Sequence, residues 1–69
     1  MAKLKINGVE RDFPNDLPKT IDDLVKELGL NSETVVAEVD SQIIERQNFA
    51  ATPLQDGQSI ELVRLMPGG

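Results

Sequence analysis

Charged and aliphatic positions alternate over the first thirteen residues. Lys3 and Lys5 interleave with Leu4 and Ile6, and Val9, Arg11 and Phe13 interleave with Glu10 and Asp12. A period of two marks a strand with one face in a core. Asn7-Gly8 stands between the two runs. Both central residues of a type I′ turn need positive φ, so the segment reads as a β-hairpin. Pro14, Asn15, Asp16 and Pro18 then predict a loop. From Thr20 the period changes: Ile21, Leu24, Val25 and Leu28 fall at i, i+3, i+4 and i+7, the apolar stripe of a short amphipathic helix. Thr20 reads as its N-cap, Asp22 and Asp23 suit the positive end of its dipole, and Gly29 sits where a left-handed residue would end it.

The second half returns to strand patterns. Val35-Val36-Ala37-Glu38-Val39 is short and β-branched, and Asp40-Ser41 turns the chain into a brief strand at Gln42 to Ile44. Arg46 to Ala51 reads as irregular or as one helical turn, because Pro53 forbids anything long. Asp56-Gly57 makes a turn before a final strand, Ser59 to Met66. The predicted order is β-β-α-β-β-β, with no internal repeat or linker. One helix after a hairpin, with a strand as the last element, points to the α+β class. The architecture expected is a β-grasp, a mixed sheet of about five strands packed on one helix. Residues 1–66 form this domain and 67–69 a flexible tail.

Composition narrows what such a domain can do. Sixty-nine residues fill one core, and a domain of this size buries only about 60% of its unfolded surface, leaving no room for a deep substrate pocket. Two Phe and no Trp or Tyr make that core aliphatic. The chain has no Cys and no His, which removes thiolate nucleophiles, imidazole bases, disulfides and the usual zinc ligands together. Twelve carboxylates remain, nearly all on faces expected to be exposed, whereas acid–base catalysis usually needs burial to shift a pKa. The expectation is therefore no enzyme. The adjacent Asp22 and Asp23 are explained by helix-start electrostatics. A net charge of −5 and a pI near 4.4 argue against nucleic acid and anionic membranes. No apolar run approaches the roughly 20 residues of a membrane span. Without a signal-like start, the expected location is the cytosol. An acidic surface suits steering toward a basic groove on a partner protein.

Chemistry concentrates at the last strand and the C-terminal residues beyond it. Ile60 and Leu62 alternate with Glu61, but Val63, Leu65 and Met66 put apolar groups on both faces. With only one helix to cover the sheet, Val63 and Leu65 should point outward, forming a bulge, a doubly covered strand or a docking patch. Ile44, from the Ile43-Ile44 pair, and Arg46 are the other candidates for that patch, although a local ion pair with Glu45 or a nearby Asp is the simpler use of Arg46. Phe49 is expected to plug the core. The sequence then runs Pro67-Gly68-Gly69. A terminal carboxylate can be activated with ATP as an acyl-adenylate and then attacked by sulfur or an amine inside another protein's active site. Glycine lacks a Cβ and accepts φ values closed to other residues, so Gly68 and Gly69 could thread a narrow channel.

These residues resemble the sulfur-carrier family of thiamine biosynthesis (ThiS), which has a ubiquitin-like β-grasp fold. The likeness covers nearly the whole chain. It is densest in Val36 and Glu38, Ile43-Ile44, Arg46, Phe49, Leu54, Asp56-Gly57, Ile60-Glu61 and the final Gly68-Gly69. Asp40-Ser41 stands where Asn-Gly is common in the family, Gln58 replaces a usual Asp, the loop from Pro14 to Lys19 is somewhat long, and Pro67 replaces a small or aliphatic residue. The resemblance implies that a ubiquitin-activating-like adenylyltransferase activates the Gly69 carboxylate with ATP. A sulfurtransferase or cysteine desulfurase relay then makes it a thiocarboxylate, and thiazole synthase takes the sulfur, with Pro67 and Gly68 threading the partner's site. The carrier would be monomeric when free, with no cofactor bound permanently and no metal. A molybdopterin-type or other sulfur carrier, a protein modifier conjugated through Gly69, and a non-covalent β-grasp binding module are the alternatives.

Overall fold

The computed structural model describes residues 2–65. Strands β1 (Ala2–Ile6) and β2 (Val9–Phe13) form the expected hairpin, followed by helix α1 (Ile21–Glu27). Strands β3 (Val35–Val39), β4 (Gln42–Ile44) and β5 (Ser59–Arg64) come after it, with short 3-10 helices at Ser32–Thr34 and Arg46–Ala51. The sheet order is β2-β1-β5-β3-β4. β1 and β5 run parallel and the other neighbours antiparallel. This is the mixed five-stranded β-grasp that the hydrophobic pattern predicts. β5 ends at Arg64, and the expected extension to Met66 lies outside the described residues, as does the proposed division at residues 66 and 67.

Local chemistry accounts for each boundary. In the first hairpin Asn7 and Gly8 take φ of 51° and 82°, as a type I′ turn requires. Thr20 caps α1 through Oγ1, which accepts the Asp23 amide at 3.2 Å. The helix stops in a Schellman motif: Gly29 (φ 74°) donates to Lys26 O and Leu30 donates to Val25 O, both at 3.0 Å. Asp22 pairs with Lys26 one turn on at 2.9 Å, and that contact raises the Lys26 ammonium above its ordinary value. Asp22 and Asp23 are thus occupied in building the helix.

The core lies between α1 and one face of the sheet. Ile21, Leu24 and Val25 of the helix pack on Leu4, Ala37, Ile60 and Leu62, with Phe13 and Val39 completing the layer. Phe49 is 1% exposed, so the plug role expected of it holds. Among the described residues no polar or charged residue is buried and no buried side-chain nitrogen or oxygen lacks a partner. Between β1 and β5 only two residue pairs are in register, and Asn7 extends the junction. Its backbone amide donates to Ile60 O (2.9 Å), its side-chain Nδ2 donates to Leu62 O (3.2 Å), and its Oδ1 accepts the Leu62 amide (2.8 Å). A side-chain amide thus carries on the ladder after β1 has turned away.

Candidate functional site

β5 is the middle strand of the five. It is paired along five residues with β3 on one side and joined to β1 on the other. Beyond it the Leu65 amide donates to Thr34 O at 2.6 Å, so the last described residue is fastened to the 3-10 turn that leads into β3. β5, the central strand, is the element that precedes the C-terminal residues in the sequence. Pro67, Gly68 and Gly69, the residues the sequence marks for chemistry, lie outside the described residues.

Alternation along β5 sorts its side chains. Ile60 and Leu62 turn to the helix, while Val63 is 58% exposed and Leu65 54% exposed. The sequence expects both to point outward, and they do. Val36 of β3 lies directly opposite Val63, and on the next rung of the same face Glu38 lies opposite Glu61. Ile43 of β4 is the cross-strand partner of Glu38 and is 66% exposed.

Ile44 pairs with the inward Ala37 and packs partly against the core, while still lining the groove that also holds Val36, Ile43, Arg46 and Leu65. Ile43 takes the fully outward place, 66% exposed. A run of three residues cannot reveal its own phase, because two neighbouring isoleucines satisfy either alternation. Arg46 sits at the rim of a shallow groove of about 360 Å³ whose lining includes Val36, Ile43 and Leu65. The ion pair expected for it with Glu45 or a nearby Asp is absent among the described residues. Glu45 Oε2 instead accepts from Gln47 Nε2 at 2.8 Å, which leaves Arg46 exposed at the groove's edge.

The site is therefore a surface: an apolar cluster of Val36, Ile43, Val63 and Leu65 beside two glutamates, at the end of the sheet from which the chain leaves. Among the described residues no group of three or more potential metal ligands comes together. Nor is any described helix long and apolar enough to cross a membrane.

Residues 4–69 match the ThiS family, nearly the full length of the chain. The chain belongs to the ThiS family. A thiazole synthase of Paramagnetospirillum magneticum is 36% identical over 67 residues, 97% of this chain. The chain spans 20% of that curated relative's length. Among solved structures, the crystal structure of the thiamine biosynthesis protein ThiS from Geobacter metallireducens superposes with a TM-score of 0.83 at 28% identity, covering 97% of this chain and 99% of the other. A solution structure of a thiamine biosynthesis protein from the same organism gives 0.81 at 28% identity, covering 97% of this chain and 87% of that one. The ThiS likeness thus extends over both the sheet and the approach to the diglycine.

Proposed function

We propose that this ThiS-family chain carries sulfur for the thiamine thiazole ring on the carboxyl carbon of Gly69. The observation that carries the reading is the family match, which runs through Gly69, joined to a central strand that feeds toward Pro67-Gly68-Gly69. In this reading the carboxylate attacks ATP in an adenylyltransferase and pyrophosphate leaves. A persulfide of a sulfurtransferase or cysteine desulfurase relay displaces AMP to give an acyl disulfide. A second thiol cleaves that disulfide reductively to release the thiocarboxylate, and the thiocarboxylate donates the sulfur in thiazole synthase. The chain contributes a reactive end and a recognition surface, while the enzymes contribute the catalysis. A cytosolic location fits partners that use ATP.

The name of the Paramagnetospirillum relative supports thiazole synthase as the acceptor: a unit like this one makes up a fifth of that chain. The same likeness favours a carrier over a protein modifier. Val63, Leu65, Ile43 and Arg46 form the docking face in this reading, and Gly68 and Gly69 enter the partner's active site.

The deciding measurement is the intact mass of the protein purified from its own host. Exchange of one terminal oxygen for sulfur, about 16 Da, is expected, and it should disappear from a chain lacking Gly69. A deletion strain should need thiazole or thiamine, and a gene truncated by Gly68-Gly69 should not rescue it. Rescue by the truncated gene would overturn the proposal.

A further inference from the structure

The open face carries a feature that folding alone does not favour. Glu38 and Glu61 stand directly opposite each other across β3 and β5, and like charges in that position destabilise a sheet. Neither is ion-paired among the described residues. Of the cations on or beside this face, Lys3 is engaged with Glu10 at 3.9 Å, Lys5 is opposite Glu10 on one side and Ser59 on the other, and Arg46 stands at the groove's edge. None of them is ion-paired with either glutamate among the described residues. On β4, Ile43 flanks Glu38, and on the neighbouring rung Val36 meets Val63. The acid pair is therefore flanked by exposed Ile43 and Val63 and half-buried Val36, and no counter-charge pairs with it among the described residues.

We propose that the Glu38–Glu61 rung is the polar half of the face that docks thiazole synthase, an assignment that rests on the carrier reading above. The fold tolerates the repulsion because a basic side chain of the partner, set among apolar ones, fills the rung when Val36, Ile43, Val63 and Leu65 are covered. Burying apolar surface supplies affinity, and the acid pair selects a partner that brings positive charge to that point. The occupant is taken as thiazole synthase because a relative of that name joins a unit like this one to the rest of its own chain, which keeps the two surfaces together. The net charge of −5 adds long-range attraction toward the same basic surface.

The consequence is a pair of effects of opposite sign. The isosteric double variant E38Q/E61Q removes the repulsion, so the free protein should melt up to about 5 °C higher. Calorimetric titration of the full chain into thiazole synthase from its own host should show affinity about tenfold weaker at low salt, the scale of one lost charge-assisted hydrogen bond. The salt dependence of binding should shrink with it. E33Q, which removes one negative charge outside the Glu38–Glu61 rung, should lower affinity by less than half as much and should not raise the melting temperature. Unchanged affinity in the double variant, or a lower melting temperature, overturns the proposal. So does a wild-type chain that does not bind thiazole synthase. The carrier reading is judged apart from this by the sulfur mass at Gly69.

Discussion

The two faces of this sheet are made by the same strands and differ in what covers them. On the helix side, Val35, Ala37 and Val39 of β3 and Ile60 and Leu62 of β5 are buried. On the open side, Val36, Glu38, Glu61 and Val63 come from the same two strands, yet Val63 is left for water to meet and Val36 is only half-buried. Because successive side chains point to opposite faces, the core positions and the proposed docking positions alternate along one sequence. A residue's role is then set by the parity of its position more than by its type. Val39 and Val63 are both valines, one 8% and the other 58% exposed.

Substitution on the covered face should have the largest effect. Phe49→Ala removes the largest of the fully buried side chains and should cost about 3–5 kcal/mol. Against a total stability of order 5 kcal/mol for a small domain, urea titration should show a variant partly unfolded without denaturant. If Phe49→Ala kept most of its stability, the contrast between the faces would fail at its strongest point.

Val63→Asp is the matching test on the open face. An exposed strand position should change folding stability by less than about 1 kcal/mol. Placing a carboxylate in a covered apolar contact should weaken thiazole synthase binding about thirtyfold or more. Urea titration and calorimetry on the same sample check both halves. Equal losses in folding and binding would mean that Val63 belongs to the core in function if not in position.

Much of this division is legible before any coordinates. The hairpin, the capped helix and the strand alternation are local signals, and each rests on a turn or cap residue with a physical requirement: Asn7-Gly8, Thr20, Gly29. The outward direction of Val63 and Leu65 comes from counting faces against one helix. The illegible part depends on partners distant in sequence. Ile43 and Ile44 are ordered only by pairing with Glu38 and Ala37. The bond between Asn7 and Leu62 spans 55 residues and gives no local sign beyond a turn asparagine. Arg46 is left unpaired among the described residues, while the carboxylate of its neighbour Glu45 accepts from Gln47.

Asn7 belongs to neither face and so tests the junction between them. Asn7→Gly keeps the positive φ that the turn needs but removes both side-chain bonds to the Leu62 backbone. The loss should be about 2 kcal/mol, from unsatisfied strand groups and a more flexible unfolded chain. Amide hydrogen exchange should rise first at Leu62, in the middle of β5. Exchange that rises only in β2 would show that Asn7 serves the hairpin alone.

The smallest effect is expected at the other two-residue turn, and it bears on which isoleucine faces outward. Asp40 and Ser41 take φ of 48° and 72°. Aspartate tolerates this region, whereas serine is held there against its preference. The turn is tied to β5, since the Asp40 amide donates to Ser59 O (2.8 Å) and Asp40 Oδ1 accepts the Ser59 amide (2.9 Å). Those bonds hold the phase of β4, and a slip of one residue would exchange Ile43 with Ile44. Ser41→Gly relieves strain of about 1 kcal/mol, partly offset by the freer unfolded chain, for a net gain of about 0.5 kcal/mol. A melting temperature about 3 °C higher is expected, with thiazole synthase affinity unchanged because Ile43 keeps its outward place. Higher stability with weaker binding would mean that the strained serine, and not the bonds of Asp40, holds β4 in register.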